Sequence, residues 1–237
     1  MHQDRLNTTN MNIGGFEKMS LIDYPGHMSA IIFTSGCNFR CPYCHNPELV
    51  EETAPLLEQK DIYEFLRTRV GRLEAVSITG GEPTMHADLP DMIRTIRAMG
   101  YRIKLDSNGT HPDMLKELID QKLVDYIAMD IKAPIGEYPR ITGMPTNFDA
   151  IEKSIDLLMS SPIEYEFRTT IIKSLLSPAD ILQIAQRIKG ARLYALQKFI
   201  SKKILNPQFR SKTTYSDTEF EDMQKTIAPL VTECIIR

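Results

Sequence analysis

Short apolar runs rich in β-branched residues alternate with amphipathic stretches along most of the chain. The first clear run, Ser29–Thr34, predicts a buried strand that ends at Gly36. Glu74–Thr79 predicts a second strand, closed by Gly80-Gly81, and Leu89–Met99 an amphipathic helix stopped by Gly100. Tyr101–Asp106 predicts a third strand running into Ser107-Asn108-Gly109. The following helix, Pro112–Lys122, carries Met114, Leu115, Leu118 and Ile119 on one face. Strands are then expected at Asp125–Ile131, Glu164–Ile172 and Arg192–Gln197, with helices at Phe148–Met159 and Ala179–Lys189 between them. A helix around Asp217–Ile227 and a strand at Val231–Ile236 complete the pattern.

Six successive β-then-α units imply parallel strands joined by right-handed crossovers. An open doubly wound sheet, or a complete or partial barrel, satisfies that pattern. Polar and glycine-rich residues collect where the strands end: Ser35-Gly36-Cys37, Thr79-Gly80-Gly81-Glu82, Asp106-Ser107-Asn108, Asp130-Ile131-Lys132 and Arg168-Thr169-Thr170. Parallel α/β folds place their sites at the carboxyl ends of strands, so five strands aim chemistry at one rim. With no repeat or linker, residues 1–237 read as one domain, with its core at 14–200, a C-terminal helix and strand at 215–237, and a flexible start at 1–10.

Composition narrows the function. The 237 residues carry a formal net charge of −3 and are 42% hydrophobic and 25% charged, an ordinary globular balance. No basic block points to nucleic acid. The longest apolar runs fall far short of the roughly 20 residues that span a bilayer. Residues 1–10 have no apolar stretch of the signal-peptide kind, so a reducing, cytoplasmic location is expected.

Three of the four cysteines, Cys37, Cys41 and Cys44, lie within eight residues directly after the first strand. Three thiolates on one loop can face a common centre and leave one coordination position unfilled by cysteine. A [4Fe–4S] cluster fits such a set. A Cys3His zinc site with His45, or inert thiols, are the alternatives.

The context Gly36-Cys37-Asn38-Phe39-Arg40-Cys41-Pro42-Tyr43-Cys44-His45-Asn46-Pro47-Glu48 resembles the radical S-adenosylmethionine enzymes, and among them the activases of glycyl-radical enzymes. The resemblance runs from about Gly14 to Phe199. It implies a partial (β/α)6 barrel of the TIM type, with Cys37, Cys41 and Cys44 holding a [4Fe–4S] cluster and S-adenosylmethionine on the fourth iron. Reductive cleavage of the cofactor would give methionine and a 5′-deoxyadenosyl radical.

The same resemblance assigns roles along the rim. Gly80, Gly81 and Glu82 would hold the amino group of the methionine moiety, and Lys132 its carboxylate. Asn108 would sit near the ribose. Asp106, Ser107 and Asp130 would line a site for a monovalent cation, and Arg168 would face the rim toward a carboxylate or the adenosyl group. Asp23, in Asp23-Tyr24-Pro25-Gly26, would contact the glycine loop of a partner; by itself that segment reads as a Pro-Gly turn. Leu196-Gln197-Lys198-Phe199 stands where the pyruvate formate-lyase branch has a cofactor-touching histidine, and no further Cys-x2-Cys pairs follow Cys44. Cys234, beside Ile235 and Ile236, reads as a packed core thiol.

Gly14-Gly15-Phe16, Ser20–Gly26, Met129–Pro134 and Glu166–Thr170 are most similar to the anaerobic ribonucleoside-triphosphate reductase activating proteins. The implied reaction takes a hydrogen from one glycine of that reductase, with one electron from a flavodoxin or ferredoxin. Activation of another glycyl-radical enzyme, a small-molecule radical reaction, and a non-catalytic zinc module are the other readings.

Overall fold

A computed structural model describes residues 11–237; the expectations for residues 1–10, a flexible start and no signal peptide, lie outside them. Eight strands form one sheet in chain order: β1 (Ile13–Tyr24), β2 (His27–Thr34), β3 (Ala75–Gly80), β4 (Arg102–Ser107), β5 (Tyr126–Asp130), β6 (Glu164–Ile171), β7 (Leu193–Lys198) and β8 (Glu233–Ile236). β1 and β2 form an antiparallel hairpin turning at Pro25-Gly26, and β2 to β8 are parallel. The helices are α1 (Pro47–Val50), α2 (Gln59–Arg67), α3 (Leu89–Arg97), α4 (Pro112–Asp120), α5 (Tyr138–Thr142), α6 (Phe148–Ser160), α7 (Pro178–Arg187) and α8 (Asp217–Ile227). None is long and apolar enough to cross a membrane.

Each of the six crossovers, through α2, α3, α4, α6, α7 and α8, steps to the adjacent strand, so the sheet never reverses direction. Successive right-handed steps of that kind curl a twisted sheet toward a barrel. β1 and β8 stay unpaired with each other, which leaves the barrel open. This is the partial (β/α)6 architecture that the family resemblance implies.

The period of two along each strand separates two environments. Outward residues such as Ile78, Leu105, Ile127 and Phe167 are fully buried under Ile93, Leu115, Ile151 and Ile181 of the helices. Inward positions include small and polar residues: Ser29 and Ser77 touch through their hydroxyls at 3.3 Å, and Lys104 and Glu166 are buried. A polar lumen under an apolar shell leaves the charged rim in contact with charged groups below it.

Four elements go beyond the sequence expectation: β1, α2 and the short helices α1 and α5. β1 extends the sheet where the sequence pattern suggests only a polar start, because an edge strand buries one side at most and β1 slips register three times against β2. α2 supplies the first crossover although only Ile62 and Leu66 on it are buried, too few to stand out as a stripe.

Candidate functional site

The carboxyl ends of β2 to β6 surround a cleft of about 190 Å³. Cys37, Cys41 and Cys44 line it together with Gly80, Gly81 and Glu82 from the end of β3. Asp106, Ser107 and Asn108 enter from β4, Asp130 and Lys132 from β5, and Arg168 from β6. Apart from Asp23, every residue assigned a rim role in the sequence therefore meets in one place.

The cysteine loop is held by backbone contacts on three sides. Gly81 N–H donates to the Thr34 carbonyl at 2.8 Å and Glu82 N–H to the Gly36 carbonyl at 2.9 Å. These bonds bring two loops so close that a Cβ on Gly81 would sit 1.9 Å from the Gly36 oxygen. Gly80 has φ +112°, in the region that favours glycine, and a Cβ there would meet Thr34 backbone at 2.6 Å. Arg40 N–H donates to the Thr142 carbonyl at 2.7 Å, beside α5. From the far end of the chain, Leu205 N–H donates to the Cys44 carbonyl and Asn206 N–H to the Pro42 carbonyl, both at 2.9 Å.

All four cysteines are free thiols. Burial pushes the Cys37 thiol up to about 12 and the Cys41 thiol up to about 11, and it raises Cys44 as well. Metal ligation deprotonates a coordinating thiol, so bound iron would offset that burial. His45, the fourth ligand of the zinc alternative, donates instead from Nε2 to the Ile200 carbonyl at 2.6 Å. Three sulfurs on one wall of a cleft that also offers acidic and basic groups fit a cluster with one iron left for a zwitterionic ligand.

Glu82 has a duty that the sequence does not reveal. Its side chain is 1% exposed and joins two strand ends. Oε1 accepts from the Thr84 N–H at 3.1 Å, from Ser107 Oγ at 2.9 Å and from the Thr84 hydroxyl; Oε2 accepts from the Asn108 N–H at 2.6 Å. Burial raises its pKa, and those hydrogen bonds act against the rise. Asn108 in turn donates from Nδ2 to Asn38 Oδ1 at 2.8 Å, and Asn38 donates to Thr110 Oγ1 at 2.8 Å. The end of β4 is thereby tied to the cysteine loop.

Across β4, β5 and β6 runs a ladder of alternating charge: Lys104, Asp106, Arg168, Asp130, Lys132. Lys104 bonds Asp106 Oδ1, while Arg168 spans Asp106 Oδ2 at 3.2 Å and Asp130 Oδ1 at 2.8 Å. Lys132 Nζ meets Asp130 Oδ2 at 2.9 Å. The space between the two aspartates, assigned by resemblance to a monovalent cation, is spanned by the Arg168 guanidinium. With three cationic side chains already on two carboxylates, the ladder carries its positive charge on the protein itself. Burial alone would raise the Asp130 carboxyl, but the charges of Arg168 and Lys132 hold it well below the usual carboxylate range. Asp106 is likewise lowered, by Arg168 and Lys104 against burial.

Asp23 stands apart. It lies beside the hairpin turn at the amino end of β2, bonded by the Ser20 hydroxyl. β2 is eight residues long, so at ~3.3 Å per residue Asp23 is roughly 25 Å from the rim. Asp23 therefore does not line the cleft, and its contact with a partner's glycine loop is a proposal separate from it. Cys234 packs partly buried against the core on β8, as expected, and does not line the cleft. The sequence reading missed Asn38, whose partners Asn108 and Thr110 follow β4, Thr84 and Lys104, which bond Glu82 and Asp106 two residues away, and Thr170, which also lines the cleft.

Comparison with known proteins agrees with this geometry. The signature of the family described as the Radical SAM superfamily matches residues 31–188. The protein of Methanocaldococcus jannaschii named "Putative glycyl-radical enzyme activating enzyme" is 32% identical over 230 residues, 95% of each chain. The pyruvate formate-lyase-activating enzyme of Clostridium pasteurianum is 29% identical over 191 residues, 76% of this chain and 77% of that one. Among solved structures, Streptococcus suis SuiB bound to S-adenosylmethionine superposes with a TM-score of 0.65 at 14% identity, over 85% of this chain and 48% of that chain.

Proposed function

This chain belongs to the radical S-adenosylmethionine superfamily, among the activating enzymes of glycyl-radical enzymes, and from that premise we propose that its partner is an anaerobic ribonucleoside-triphosphate reductase. The observation that carries the reading is the convergence of Cys37, Cys41 and Cys44 with a zwitterion-sized set of charged groups in one cleft. The choice of reductase rests on the segments Ser20–Gly26, Met129–Pro134 and Glu166–Thr170.

In this reading Cys37, Cys41 and Cys44 hold the [4Fe–4S] cluster. When bound, the cluster and S-adenosylmethionine supply the reductive cleavage and the hydrogen-abstracting group. The protein's residues position that chemistry. Lys132 offers the cation for the cofactor's carboxylate, while Glu82 and the Gly80-Gly81 backbone offer the acceptors for its ammonium. Ser107 and Asn108, fixed by Glu82, set the floor beside them. Arg168 and Asp130 hold Lys132 in register, because the guanidinium and the ammonium share one carboxylate. Free thiols suit a reducing cytoplasm.

The test is anaerobic purification followed by incubation with the candidate reductase. A brown protein, methionine and deoxyadenosine as products, and a glycyl radical seen by electron paramagnetic resonance on the reductase are expected. A colourless zinc protein would overturn the enzymatic reading. Cofactor cleavage with no radical on the reductase would overturn only the choice of partner.

A further inference from the structure

From Lys198 to Ser216 the chain carries five cationic side chains (Lys198, Lys202, Lys203, Arg210 and Lys212) and no carboxylate, in a protein of net charge −3. This segment is bonded to the backbone of the cysteine loop. Its Leu205 and Asn206 N–H groups hold the Cys44 and Pro42 carbonyls, and its Ile200 carbonyl accepts from His45. Ile204, 5% exposed, anchors it in the core. None of these residues lines the cleft.

The charges point outward. Lys202, Lys203, Arg210 and Lys212 are all exposed. Lys198 turns to Asp217 at 2.7 Å and Lys203 to Glu48 at 2.7 Å, the latter with its side chain 64% exposed. Among the described residues, Lys202, Arg210 and Lys212 make no ion pair. Arg40, exposed on the cysteine loop itself, adds a further guanidinium seated on the Cys37 and Phe39 carbonyls.

We propose that this basic strap is the docking face for an acidic one-electron carrier protein. The inference rests on the functional reading above, which needs one electron from outside for each cofactor cleaved. The carrier is oxidised by one electron and the cluster reduced by one; no bond is made or broken between the two proteins. A donor that entered the cleft would displace the substrate glycine. The strap offers the other approach, because its Leu205 N–H is bonded directly to the Cys44 carbonyl. Redox encounters bury little surface and depend on charge to orient them. A segment whose Lys202, Arg210 and Lys212 are exposed outside any ion pair among the described residues, with Glu48 and Asp217 holding its other two cations, meets that need.

The experiment uses the cluster-loaded enzyme and the variant Lys202→Glu/Arg210→Glu/Lys212→Glu. Cluster reduction is followed by stopped flow with reduced flavodoxin, across a salt series, and with photoreduced deazaflavin, a small uncharged reductant. The variant should keep its iron and its deazaflavin-driven cleavage. Its flavodoxin rate should fall on the order of tenfold at low salt, and the salt dependence should flatten. An unchanged flavodoxin rate overturns the docking face. So does an equal loss with both reductants, or a loss confined to radical formation on the glycyl-radical enzyme, which would assign the strap to that partner. An unmutated chain that takes up no iron overturns the functional reading itself.

Discussion

Arg237 closes on Glu166 from two strands away, with Nη1 at 2.9 Å from Oε1 and Nη2 at 2.7 Å from Oε2. Glu166 is fully buried in the lumen, and Arg237 follows directly after β8, so the pair ties the last strand to β6 across β7. Removing the guanidinium strands a carboxylate in the lumen. Arg237→Ala should cost about 2–4 kcal/mol, less than the ~3–5 of a fully buried pair because Arg237 is 35% exposed. Urea denaturation measures it. Arg237→Met with Glu166→Gln should recover part of the loss, since neither remaining group is charged.

Glu82→Gln tests the network at the end of β3. The change is nearly isosteric, yet the new amide must turn its NH2 toward either the Asn108 N–H or the cluster of Thr84 and Ser107 donors. A donor then faces a donor. A loss of about 1–3 kcal/mol in stability is expected. S-adenosylmethionine affinity should fall with it, as calorimetric titration would show. Affinity lost at full stability would instead make Glu82 a ligand contact alone.

Gly81→Ala places a methyl group against the Gly36 carbonyl, a backbone atom that cannot swing aside. The cysteine loop should shift while the distant helices keep their packing. Iron content after anaerobic reconstitution should drop sharply with far-ultraviolet circular dichroism unchanged. Full iron loading in this variant would mean that the Gly36–Gly81 approach does not set the position of the thiols.

Lys132→Ala removes the cation proposed to meet the cofactor's carboxylate and leaves Asp130 to Arg168 alone. Cofactor binding should weaken by ~1.5–3 kcal/mol, the usual worth of a charge-assisted bond. Asp23→Ala, remote from the rim, should leave that affinity untouched. Equal weakening by both would contradict the separation between the two ends of β2.

Acid should unlock the charge ladder. Asp106 and Asp130 have folded pKa values below the unfolded value of ~3.9, so the stability they contribute is present above that pH and is lost as pH falls below it. Urea midpoints at pH 7, 5, 4 and 3 should therefore drop most steeply below pH ~4. Asp130→Asn should flatten that drop. An unaltered slope in the variant would assign the acid sensitivity to other carboxylates.

Much of the site was legible because parallel β/α units deliver strand ends to one rim, so Gly80, Ser107, Asp130 and Arg168 could be grouped before any coordinates. The rest depends on pairings that leave no local trace. Glu82 finds Ser107 and Asn108 on the neighbouring strand end, and a Thr-Glu or Asn-Glu bond has no periodicity to betray it. Arg168 could be placed at the rim, but its choice of two aspartates over a free ligand is set by strand register. β1 hid because its Leu21 and Ile22 are exposed and Gly14-Gly15 interrupt its apolar pattern. Asp23 is next in sequence to the strand that leads to the cysteines, yet it stands at the opposite end of that strand in space.

The strap over the cysteine loop also has a history in time. His45 and its acceptor Ile200 are 155 residues apart in the chain. At ~5–20 residues per second, a growing chain displays the three cysteines for roughly 8–30 s before the segment that covers their loop has been made. The Leu205 and Asn206 bonds are thus the last of the loop's backbone fastenings to be made. Apo protein refolded from urea with iron and sulfide present should load faster than apo protein folded beforehand. Equal rates would mean that the strap opens freely after folding and that the order of events leaves no mark on the mature enzyme.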